Sequence, residues 1–153
     1  NINHFSEGLL QLAQRTKAVG QRWQLEPLIT AELPLDDTIN GHNLAIVTCG
    51  LAQNYCYYRG PHAGGAIFVA FSGVPDTVFA PVDETKFISL TTQCMLDFPI
   101  DHKIFVEGFL LWNNTAYEWR GHDLTAHFGQ DVTVTFEQAG DAWRIGGITS
   151  KPS

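Results

Sequence analysis

Glu107 is the one carboxylate in the apolar run 104–112 (IFVEGFLLW). If that run is a strand, Phe105, Glu107 and Phe109 share a face. A carboxylate between two phenyl rings has its pKa raised by desolvation, the device that tunes general acids and bases. Glu107 is therefore the candidate catalytic residue. Next to it, residues 112–120 (WNNTAYEWR) bring together Trp112, Tyr117, Trp119 and Arg120. Aromatic walls with a few polar tips suit a small-molecule pocket or a protein interface. A second candidate is the Gly-rich stretch 59–65, where Arg59 and His62 offer a charge and a donor beside the ring of Tyr58. Glycines let backbone N–H groups approach an anion. That stretch lacks the spacing of a dinucleotide or phosphate loop, and a strand pattern follows it where a helix N-terminus is needed.

Other chemistry finds less support. His122, Asp123 and His127 do not form HExxH, because the two histidines are five apart and diverge on a helix. Asp123 reads instead as a helix cap, and no metal or cofactor is implied. No serine sits in GxSxG, and Ser72 lacks the nucleophile-elbow pattern. Cys49, Cys56 and Cys94 are odd in number and show no CxxC spacing, so they read as free thiols. Reducing cytoplasm is then the default location. Asn113, Asn114 and Thr115 match the glycosylation pattern, a tripeptide common by chance.

The composition narrows the classes further. Net charge is −7, and no Lys or Arg occurs between Arg22 and Arg59, so no basic stripe is available for nucleic acid or an anionic membrane. Charged residues are 16% of the 153 and apolar residues 44%, against about 25% charged in ordinary soluble domains. With ten Phe, four Trp and four Tyr, some aromatic surface is expected to meet a small molecule or a protein partner. The same surplus permits a homodimer through an uncovered sheet face or edge.

These residues need elements to position them. Phe5, Leu9, Leu12, Thr16 and Val19 fall at helical spacing, with Asn3 as cap and Gly20 as stop, which predicts an N-terminal amphipathic helix. Residues 44–49 (LAIVTC) and 66–71 (AIFVAF) read as strands buried on both faces. Residues 53–58 read as a strand or a helical turn, 59–65 as a loop, and 78–80 as a short strand. Residues 87–96 fit strand or helix. The run 104–112 reads as the longest strand, with a bulge at Gly108, and 123–128 as a helical turn. Residues 132–136 alternate, Ala139, Gly140 and Asp141 turn, and 142–149 return, which predicts a hairpin.

The expected fold is α+β: one domain over 1–153, with the helix packed on a twisted, mostly antiparallel sheet. The closing pattern, a long apolar strand, then 131–136, then Trp143, Arg144 and Ile145, is similar to the last strands of the NTF2-like superfamily. That resemblance implies a curved sheet around an apolar cavity. Three functions follow: a binding module with an aromatic-lined pocket, an interaction or assembly domain, and a pocket enzyme of isomerase, dehydratase or lyase type using Glu107.

Overall fold

Three short polar side chains decide where helices begin. Asn40 accepts the N–H of Asn43 at 3.0 Å, Asp83 that of Lys86 at 2.9 Å, and Asp101 those of Lys103 and Ile104 at 3.0 Å each. Each thereby satisfies an orphan donor of a first helical turn. In the computed structural model, which describes residues 6–52 and 54–151, these caps open α2 (Gly41–Gly50), α3 (Glu84–Asp97) and α4 (His102–Trp112). They follow the N-terminal helix α1 (Glu7–Trp23). The chain divides into two compact units, Asn1–Phe79 and Ala80–Ser153. Both combine helices with antiparallel strands, and the fold is α+β as expected.

In the first unit, α1 turns Leu12, Thr16, Val19 and Gly20 inward while Leu9 stays exposed. Gly20 does not end the helix, which runs on to a left-handed Gln24 (φ 54°). Its role is close approach: a Cβ there would lie 2.7 Å from Leu28 Cβ and 2.8 Å from Ile29 Cγ2, in and beside the 3-10 turn Glu26–Leu28. The expected cap Asn3, with Phe5, lies outside the described residues, as does Gln53. Next to α2 lies a two-stranded antiparallel ribbon, β1 (Cys56–His62) and β2 (Gly65–Phe71), paired from Cys56↔Phe71 to His62↔Gly65. The expected loop over 59–65 thus shrinks to Ala63 and Gly64. Thr16 and Gly20 are the unit's buried residues among those described. A second 3-10 turn, Asp76–Phe79, closes the unit where a short strand was expected.

The second unit places α3 and α4 before a four-stranded meander in the order β3 (Tyr117–Arg120), β4 (Asp123–His127), β5 (Asp131–Ala139), β6 (Ala142–Lys151). The terminal hairpin stands as read, with Gly140 at φ 63° in its two-residue turn. Phe87, Val106 and Leu110 from the helices meet Leu124, Ala126, Val132, Val134 and Phe136 from the strands, all buried. Each of these Phe, Leu and Val side chains contributes about 1.5–3 kcal/mol by leaving water. A register shift between Thr135 and Phe136 leaves Gly146 as the extra residue of β6. Bulges of this kind bend a strand and sharpen its twist.

Several expectations are corrected. Residues 44–49 and 104–112 are helices, and 123–128 is largely strand β4. A short apolar run has no periodicity to separate a buried strand from a buried helix. The caps carry that information.

Candidate functional site

The correction at α4 changes the surroundings of Glu107. On a helix it lies one turn beyond Lys103 and beside Val106 and Leu110, which are buried against the meander. Its Oε1 accepts the Tyr117 hydroxyl at 2.9 Å and the Trp119 indole N–H at 3.2 Å. Tyr117 and Trp119 are alternate residues of β3, so one face of that strand presents both donors to one carboxylate oxygen. The phenol's pKa is raised, first by the hydrogen bond to Glu107, then by burial and the carboxylate's charge, so the proton stays on Tyr117. Phe105 and Phe109, expected to flank Glu107, instead stack edge-on with each other at 5.9 Å.

Around this pair gathers a set of side chains that sequence reading does not assemble. The Lys103 ammonium lies 4.5 Å from the Trp119 ring centroid and 4.7 Å from that of Trp143. His122, in the β3–β4 turn, packs on Trp143 at 4.7 Å, and Phe136 packs on Trp119 at 5.6 Å. Asp101 caps α4 through Oδ1 and accepts the Trp143 backbone N–H through Oδ2 at 2.8 Å. The Trp143 N–H is the foremost cause holding the Asp101 carboxyl below its ordinary pKa. The available signal was the i, i+4 spacing of Lys103 and Glu107 after an Asp cap.

The remaining expected site residues fall elsewhere. Trp112 is half exposed at the end of α4, edge-on to Phe109. Arg120 pairs with Glu118 at 2.6 Å on the exposed side of β3. His127 pairs with Asp131 at 2.7 Å. Asn113, the glycosylation candidate, is buried and spends its amide on Val82 and Thr115. Tyr58, Arg59 and His62 all belong to the ribbon of the first unit. His62 accepts the Gly64 N–H at its turn, and Tyr58 faces outward with Val69.

Arg59 has a different setting. By register it stands opposite Phe68, on the ribbon face that also carries Tyr57 and Ala70. That face and α2 enclose a groove of about 290 Å³ lined by Gly41, Leu44, Ala45, Thr48, Tyr57, Phe68 and Ala70. His42 sits 4.9 Å edge-on to Phe68 and within 3.4 Å of the Tyr57 hydroxyl. A Cβ on Gly41 would overlap the Phe68 ring, so this glycine lets α2 approach the ribbon. A second groove, of about 300 Å³, lies between α3 and α4, among Leu90, Cys94, Phe98, Phe105 and Phe109. Burial raises the pKa of the Cys94 thiol there, which keeps it a weak nucleophile.

The fold and these sites define an α+β protein with two helix-and-sheet units and an aromatic groove in the first. Residues 1–74 are similar to the profile of a family of unknown function (DUF6882), a stretch that includes every residue lining that groove. No curated protein and no solved structure matches the chain. Among the described residues, no helix is long and apolar enough to cross a membrane.

Proposed function

We infer that the chain is a small-molecule binding protein whose guest occupies the groove between α2 and the β1–β2 ribbon. The observation that carries this reading is the make-up of that groove: apolar walls from Leu44, Ala45 and Ala70, rings from Tyr57 and Phe68, and the hydroxyls of Thr48 and Tyr57, the latter within 3.4 Å of His42 behind the lining. Ligand sites have this character, an apolar lining with a few polar groups that fix orientation. A volume of about 290 Å³ fits a small guest. Arg59, on the same ribbon face in a chain of net charge −7, favours a guest with an anionic end.

Two fluorescent probes of similar size test it: anilinonaphthalene sulfonate, which is anionic, and N-phenylnaphthylamine, which is neutral. Thr48→Trp fills the groove and should abolish saturable binding of both. Arg59→Ala should weaken the anionic probe about tenfold, the effect of about 1.4 kcal/mol, and leave the neutral one unchanged. Undiminished binding of both probes to Thr48→Trp would remove the groove from consideration.

A second reading has its own observation. The ribbon's other face aligns Tyr58, Ile67, Val69 and Phe71, which are 63%, 60%, 51% and 40% exposed and carry no charge. An uncharged face of this kind is complementary to itself, which favours a homodimer with two ribbons face to face. Sedimentation of the wild-type chain and of Val69→Lys checks this; a monomer at every concentration for both would end the dimer reading.

A further inference from the structure

The Lys103 ammonium is bracketed by two indole rings, at 4.5 Å and 4.7 Å from their centroids. Among the described residues it has no carboxylate within salt-bridge distance, although Glu107 follows one helical turn later. A cation over an indole face is attracted by the ring quadrupole, by about 0.5–2 kcal/mol depending on desolvation. Two such faces around one ammonium form the arrangement that recognises alkylated ammonium groups.

Both indoles have contacts besides Lys103. Trp119 is held by its N–H bond to Glu107 and backed by Phe136. Trp143 is held by the Asp101 carboxylate on its backbone N–H and backed by His122. The supports come from α4, its cap, β5 and the β3–β4 turn. Two carboxylates stand beside the rings, Glu107 on the Trp119 indole N–H and Asp101 on the Trp143 backbone N–H, and they set negative charge against the positive charge of the nearby Arg144. A primary ammonium is strongly hydrated, so it loses more on entering such a site than a methylated one.

We propose that Trp119 and Trp143 form a recognition site for a quaternary ammonium ion, which the chain's own Lys103 fills until such a ligand displaces it. The tethered lysine competes at the high local concentration of an intramolecular group, so the wild-type chain binds weakly. The site is independent of the groove in the first unit and stands whether or not that groove takes a guest.

Tetramethylammonium chloride is the probe, read by tryptophan fluorescence against sodium chloride at equal ionic strength. Lys103→Ala should bind tetramethylammonium saturably and about tenfold more tightly than the wild-type chain, the scale of one cation–π contact removed from competition. Adding Trp119→Ala to that variant should abolish the response. Lys103→Gln, which keeps the stem and removes the charge, is the second variant and should fall between the two. A Lys103→Ala chain that folds and shows no saturable response beyond that of sodium overturns the proposal. So does failure of both lysine variants to fold, because the rings would then form a site only around their own lysine.

Discussion

His102 shows how much one ring nitrogen constrains. It is buried at the start of α4, and its Nδ1 accepts the Ile145 backbone N–H at 3.1 Å. That bond requires an unprotonated Nδ1. Burial first and the Arg144 guanidinium second hold the imidazole's pKa below its ordinary value, outweighing the opposite pull of Asp101. The unfolded chain, titrating near pH 6.5, takes up a proton that the folded chain refuses. Stability from this group is therefore complete above about pH 6.5 and is lost as pH falls through the lower folded value. Asp101, also lowered, acts in the same direction at more acid pH. The unfolding midpoint should drop between pH 7 and pH 5. His102→Asn, which keeps an acceptor and cannot charge, should flatten that drop; parallel curves for the two chains would refute the assignment. At the same scale, Glu107 was legible as special because it interrupts an apolar run. Its partners were not, since Tyr117 and Trp119 reach it only once the run is known to be helix.

Between elements, short polar side chains act as ties. Asn113, at the end of α4, accepts the Val82 N–H at 2.7 Å and donates to the Val82 carbonyl at 2.9 Å, so the lead-in to α3 is bound to it as a strand would be. It is buried, and Val82 is partly so. Asn113→Ala strands both backbone groups, each costing about 1–3 kcal/mol when left unpaired, and should lower stability by about 2–4 kcal/mol in chemical denaturation. A loss under 0.5 kcal/mol would show that solvent replaces the amide freely. The same class of side chain explains the sequence misreadings. Asn40 and Asp101 lie just outside apolar runs, and each caps a helix. The terminal hairpin was legible because alternation over 132–136 and a Gly140–Asp141 turn agree with each other. The bulge expected at Gly108 lies at Gly146, because a glycine marks a bulge only when its segment is a strand and Gly108 lies in a helix.

Across the whole molecule, burial is uneven. Among the described residues, all eight buried apolar side chains belong to Ala80–Ser153, whereas most of the exposed large apolar side chains belong to Asn1–Phe79. Residues 80–153 should therefore fold alone with a cooperative thermal transition, since they carry a complete core of helices on a four-stranded sheet. A non-cooperative melt of that piece would show that its core needs the rest of the chain. The low charge and high ring content pointed to this surplus of apolar surface without saying which part of the chain would carry it.

Some properties were fixed before any tertiary contact. The amphipathic first helix, the last hairpin and the α+β class follow from periodicity and turn chemistry, which are local or additive. Only the tertiary structure decided that the apolar runs over 44–49 and 104–112 are helical, that one carboxylate oxygen collects Tyr117 and Trp119, and that Lys103 lies between two indoles. Those outcomes depend on which faces meet, and a short run of uniformly apolar residues contains no record of the face it will bury.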